Sequence, residues 1–175
     1  MQLRLTGLTV LIADSNQPAL KILKGILAAM GEPDVQSVDA YDHARQLLVS
    51  EPVDLCIIDL QLGKDRGPDL VREIRSGRDL ANQKVPFLMT CSHTTRDNLK
   101  AVRDSGANML LAKPYSVSAL YDRLAWIAHR PRPFLWSDGY RGPDRRFKDD
   151  LIFGEDRRRP EDAEAETQAP ESAHA

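Results

Sequence analysis

The sequence predicts an α/β fold built on a doubly wound parallel sheet, and three observations carry that expectation. Short apolar runs alternate with amphipathic helical patterns five times before residue 130. The runs LCII (55–58) and MLLA (109–112) are continuously apolar, as strands covered on both faces must be. Right-handed crossovers then put helices on both sides of one sheet.

LTVLIA (8–13) is the first strand. Asn16 is placed to cap the helix that follows, Pro18 suits its first turn, and Leu20, Leu23, Leu27 and Met30 recur at helical spacing. DVQSVD (34–39) is a second strand. Ala40, Ala44, Leu47 and Leu48 then share a helical face. After LCII, Gly67-Pro68 opens a helix carrying Leu70, Val71 and Ile74. VPFLMT (85–90) is the fourth strand. Thr94 and Asp97 have capping-box spacing before Leu99 and Val102, and Gly106 ends that helix. NMLLA (108–112) is the fifth strand, and 116–130 form a closing helix.

Composition bounds the function. Of 175 residues, 42% are hydrophobic and 29% charged, with a formal net charge of −2, as in a soluble globular protein. Two cysteines, Cys56 and Cys91, are too few for a disulfide framework and point to a reduced, cytoplasmic setting. No stretch reaches the roughly 20 apolar residues that span a bilayer. The segment from residue 130 holds nine basic and eleven acidic residues, so no basic arm for nucleic acid is expected.

The run VDLCIIDLQLG (53–63) poses the functional question, because it drives a carboxylate, Asp59, to the tip of a buried strand. Ligands of doubly wound sheets bind at the carboxyl ends of the strands. Asp14 lies just past the first strand and Lys113 just past the fifth, so two acids and an amine converge on one crevice. Neighbouring carboxylates need a cation, and Mg²⁺ takes oxygen ligands while keeping room for a phosphate oxygen. Nucleophile, divalent cation and lysine together make an aspartyl-phosphate site.

LIADSN, DLCIIDLQLGKDRG and GANMLLAKPYS resemble the motifs of a two-component receiver domain, the CheY-like response regulators, over residues 8–129. The resemblance implies a flavodoxin-like fold with strand order 2-1-3-4-5. It makes Asp59 the phosphoacceptor for a histidine kinase or phosphotransfer protein. Asp14, Asp59 and the Gln61 carbonyl become the magnesium ligands, and Lys113 pairs with the phosphate. Pro114 would follow a cis peptide. Four positions depart from the family pattern. Ala13 replaces the first of two tandem acids, which implies weakly bound Mg²⁺. Cys91 falls on the switch hydroxyl and Leu110 on the switch aromatic, with Thr90 and Ser92 flanking Cys91. Gly63 replaces the usual proline and implies a more flexible loop. His93 follows Cys91 by two residues, but no third group is evident to orient a reactive thiol.

The expected organisation is a receiver at 1–130, an Arg-, aromatic- and Pro-rich, largely irregular tail at 131–160, and an acidic disordered terminus at 161–175. On the closing helix, Val117, Leu120, Tyr121, Leu124, Ile127 and Ala128 form the buried stripe, and Trp126 opposite should face out. Trp126, Arg145 and Arg146 are the candidate interaction surface for a protein partner or a second protomer. The function expected is that of a single-domain regulator, not an enzyme, phosphorylated on Asp59 and signalling by protein contact. The alternative is a pseudo-receiver adaptor that needs no phosphorylation. No nucleic acid or membrane partner is expected.

Overall fold

The computed structural model describes residues 3–77 and 81–145, which form one compact unit. Strands β1 (Thr9–Ala13), β2 (Asp34–Val38), β3 (Leu55–Asp59), β6 (Phe87–Cys91) and β7 (Met109–Ala112) make a parallel sheet in the order β2-β1-β3-β6-β7. Counted over these five strands, that is the expected order 2-1-3-4-5. Directly after β3 the two-residue strands β4 (Gln61–Leu62) and β5 (Asp65–Arg66) pair as a miniature antiparallel hairpin.

Five helices cover the sheet: α1 (Gln17–Ala29), α2 (Tyr41–Ser50), α3 (Gly67–Ser76), α4 (Arg96–Ser105) and α5 (Val117–His129). One face is closed by Leu20, Leu23 and Leu27 of α1 with Leu120 and Leu124 of α5. The other is closed by Ala44 and Leu48 of α2, Leu70, Val71 and Ile74 of α3, and Val102 of α4. The amphipathic spacing therefore selects which side of each helix is buried.

The helix termini follow local chemistry. The Asn16 side chain accepts from the Ala19 amide and Ser116 from Ala119, each satisfying a donor that has no intrahelical partner. On α4 the cap is Thr95, which accepts from Asn98 at 3.2 Å, one residue beyond the expected Thr94–Asp97 pair. Gly106 ends α4 with φ +89. Val117 and Ala128, assigned to the buried stripe of α5, are exposed; Val117 lies at the first turn, beyond the sheet's cover.

Part of the segment expected to be irregular is ordered. Strands β8 (Phe134–Ser137) and β9 (Tyr140–Pro143) form an antiparallel hairpin through the two-residue Asp138–Gly139 turn. The Tyr140 hydroxyl donates to the Pro143 carbonyl and the Ser137 hydroxyl to the Tyr140 carbonyl. Trp126 is half-buried rather than outward-facing, because the Arg132 guanidinium covers its ring at 5.5 Å.

Gly63, expected to loosen its loop, sits at the β4–β5 turn with φ +64. Proline, locked near φ −65°, cannot occupy that conformation. Gly63→Pro is therefore expected to cost roughly 1–3 kcal/mol in urea unfolding, the usual cost of a forced backbone outlier.

Candidate functional site

Every residue of β3, from Leu55 to Asp59, is buried, so Asp59 is delivered by a strand that cannot turn away from the crevice. The third helix begins close behind it. A Cβ on Gly67 would lie 2.3 Å from the Asp59 carbonyl oxygen, so only glycine lets α3 start there. The Gly67 amide donates to the Leu60 carbonyl at 3.0 Å, which fixes the intervening loop.

Asp14 follows β1 and is held from both sides. Its amide donates to the Val38 carbonyl at 3.1 Å, and its Oδ1 accepts from the Asn16 amide at 2.9 Å. Lys113 follows β7, with its amide donating to the Cys91 carbonyl at 2.7 Å. Its Nζ donates to Asp14 Oδ2 at 2.6 Å and also to Asp59 Oδ2. The structure thus brings together the two acids and the amine that lie 99 and 54 residues from one another in sequence.

Both carboxylates are 7% exposed. Burial disfavours the Lys113 ammonium, but its hydrogen bonds to Asp14 and Asp59 outweigh that and hold it above its ordinary value. Two carboxylates against one ammonium leave one negative charge uncompensated, which is the electrostatic demand a cation would meet. Among the described residues no three His, Cys, Asp or Glu groups cluster for a metal. Asp14 and Asp59 place two carboxylates, both hard oxygen donors, side by side on Lys113. That hard-oxygen set suits Mg²⁺, which fills its remaining positions with water and phosphate oxygens.

Because the folded Lys113 value is raised, its stabilisation is fully present below the ordinary lysine value and is lost as pH climbs through the folded one. Wild type is expected to lose more stability than Lys113→Met as pH rises above the ordinary lysine value of about 10.4, read as the shift in urea midpoint.

The third side of the crevice is β6. In the sheet register Asp59 lies opposite Thr90, and the Thr90 hydroxyl reaches Asp59 Oδ2 at 3.5 Å. Cys91, next along the strand, packs with Phe87, Met89 and Val102 in the core under α3 and α4. Burial and the nearby Asp59 charge push the Cys91 thiol up, which opposes a thiolate. The hydroxyl nearest Asp59 is thus Thr90, which sequence counting set one residue aside. Leu110 is partly buried against the same core. The Lys113–Pro114 peptide is cis.

Gln61 donates its backbone amide to Asp59 Oδ1 at 2.8 Å. Its side chain donates to the carbonyls of Gly63 and Asp65, closing the β4–β5 turn; sequence reading gave that side chain no role. Of the candidate surface residues, Trp126 lies under Arg132. Arg145 stacks 3.8 Å over the Tyr140 ring and pairs with Asp104 at 2.7 Å. Arg146 lies outside the described residues.

Comparison with known proteins agrees with this arrangement. The family model described as response regulator receiver domain matches residues 10–125. The chemotaxis protein CheY-3 of Vibrio cholerae is 25% identical over 124 residues, covering 71% of this chain and 94% of its own. The sensory/regulatory protein RpfC of Xanthomonas campestris is 25% identical over 125 residues, but this chain spans only 17% of its length. Among solved structures, the receiver domain of a Pseudomonas aeruginosa sensor histidine kinase superposes with TM-score 0.62 at 22% identity. It covers 70% of this chain and 99% of its own, and that structure has a magnesium ion coordinated in the active site cleft. With a family match that takes in residues of all five parallel strands and with its acids gathered at the strand ends, this chain belongs to the response regulator receiver domain family.

Proposed function

We propose that the protein is a phosphorylatable receiver in which Asp59 accepts a phosphoryl group from a histidine kinase or phosphotransfer protein. The observation that carries this reading is the shared pairing of Asp14 and Asp59 with Lys113 at three strand ends. Receiver domains are signalling modules that bind Mg²⁺ in their active site. When bound here, Mg²⁺ would be held by Asp14, Asp59 and the Gln61 carbonyl, and it would neutralise charge on the incoming phosphate.

The chain's own residues do the rest. Asp59 presents a carboxylate oxygen in line with the donor phosphorus, with its other oxygen fixed by the Gln61 amide. The Asp59–phosphorus bond forms as the donor's bond breaks, and the donor keeps that electron pair. Lys113 exchanges its bond to Asp59 for one to a phosphoryl oxygen, and the Thr90 hydroxyl is the nearest second donor. The signal passes on through protein contacts of the face formed by α4, β7 and α5, to a downstream partner or a second protomer. Among the described residues no helix is long and apolar enough to cross a membrane. A cytoplasmic location is part of this reading.

The test is intact mass after incubation with Mg²⁺ and acetyl phosphate. One phosphoryl group is expected on wild type and none on Asp59→Asn. A folded wild type that gains none from acetyl phosphate or from a phosphorylated kinase would favour the constitutive adaptor.

A further inference from the structure

Strands β6 and β7 run from the acid pocket toward the side of the sheet where the C-terminal hairpin lies, and helix α4 joins the loop after β6 to that hairpin. Strand β6 sets Thr90 against Asp59 at its carboxyl end. At its amino end, Phe87 lies under the Arg75 guanidinium at 4.7 Å. Strand β7 leads into Lys113, whereas Asn108, just before it, accepts from Arg75 through Oδ1 and from Arg132 through its backbone carbonyl. Helix α4 starts beyond the loop that leaves Cys91 and ends at Gly106, against the hairpin backbone.

The contact between hairpin and helix has no slack. A Cβ on Gly142 would come within 2.6 Å of Gly106 Cα, and one on Gly106 within 2.4 Å of the Arg141 carbonyl oxygen. Arg145 pairs with Asp104 of α4, and Arg141 donates to the Ser76 carbonyl at the end of α3. The Arg75 guanidinium also lies over the Phe134 ring of β8, at 5.2 Å. Arg75 is 1% exposed, and its three acceptors are the carbonyl oxygens of Gly106, Gln83 and the Asn108 side chain, none of them a carboxylate. Desolvating a cation without a counter-ion is costly, so the hairpin that completes its burial is held by a small balance of larger opposing effects.

We propose that residues 132–145 are a strap whose docking is coupled to the acid pocket, so that phosphoryl occupancy of Asp59 loosens it. This rests on the reading of Asp59 as phosphoacceptor. Drawing Thr90 and Lys113 toward a phosphoryl group displaces the near ends of β6 and β7 and the start of α4. Close-packed elements pass such a shift to their far ends instead of absorbing it. There, a backbone-to-backbone contact between Gly106 and Gly142 cannot follow without opening. Linkage makes the effect reciprocal, so displacing the strap alters ligand affinity at the pocket by the same factor.

The experiment is amide hydrogen exchange on the full chain with Mg²⁺ and beryllofluoride, a phosphoryl mimic, beside Asp59→Asn. Exchange of the 134–142 amides is expected to quicken roughly fivefold or more in wild type, the scale of an ordinary coupling, and not in Asp59→Asn. The 59–67 loop reports binding in the same sample. Slowed exchange in that loop with an unchanged hairpin would overturn the strap. If the loop does not respond either, the phosphoacceptor reading fails by itself. The strap is then decided without ligand by Lys113→Met, or by Lys113→Gln if circular dichroism shows the first unfolded. Faster hairpin exchange in the folded variant supports the coupling, and unchanged exchange overturns it.

Discussion

Asp14→Asn is expected to lower the rate of Mg²⁺-dependent phosphorylation of Asp59 by at least about tenfold, the range found when a metal site loses a supporting group. The site starts with little to spare. Ala13 occupies the position next to Asp14, and Asp14 and Asp59 are the two carboxylates on Lys113. Removing one charge turns the pair into a neutral ion pair of Asp59 with Lys113, which has less need of a cation. Asn retains an oxygen that can accept from the Asn16 amide, so the β1–α1 turn should survive. The discriminating readout is Mg²⁺ concentration dependence, measured by quenched-flow phosphorylation from acetyl phosphate. The half-saturating Mg²⁺ concentration should rise in the variant while its far-UV circular dichroism stays that of wild type. An unchanged Mg²⁺ dependence would remove Asp14 from the metal site.

The second large effect lies at the other end of the sheet. Arg75→Ala is expected to cost about 3 kcal/mol in urea unfolding. It removes the Arg75 donor from the Gly106 and Gln83 carbonyls, at roughly 1–3 kcal/mol for each one that stays dry, whereas Asn108 Oδ1 keeps the Phe87 amide. It also opens a cavity between Phe87 and Phe134. Relief of the cation's desolvation offsets part of that sum, which is why the expectation sits near the low end. Arg75→Met keeps most of the stem's packing between the rings and should cost less than Arg75→Ala. If the two variants are equally destabilised, packing is not part of the role of Arg75.

What could be read from sequence divides along physical lines. The five strands and five helices were legible because burial on both faces forces apolar runs, and burial on one face forces helical spacing. Asp14, Asp59 and Lys113 were legible together, since residues just past strand ends share one edge in any parallel sheet of this topology. Which β6 side chain meets Asp59 was not. Thr90 and Cys91 are adjacent on β6, and only the β3–β6 register decides which of them is opposite Asp59. The Thr95 cap on α4 was missed by one position for a related reason, because Thr94 and Thr95 offer the same side chain.

The hairpin had a local signal that charge obscured. Asp138-Gly139 between FLWS and YRGP is a recognisable short turn, yet the surrounding Arg, Asp and Pro residues read as irregular chain. What orders the segment is long-range. Arg75, the Gly106 backbone and Asp104 belong to elements 30 or more residues earlier, and no local pattern shows that a charged residue on α3 will be buried. Trp126 was misplaced through the same gap, since the residue that covers it, Arg132, lies in that segment.

The central claim is that the carboxylate at the tip of β3 is the group that takes the phosphoryl. Peptide mapping of the protein after phosphorylation and borohydride reduction, which converts an aspartyl phosphate to homoserine, tests it most directly. Conversion is expected at position 59 and at no other acid. Conversion at Asp14 or elsewhere, or none in a folded protein supplied with Mg²⁺ and both small and protein donors, would contradict it.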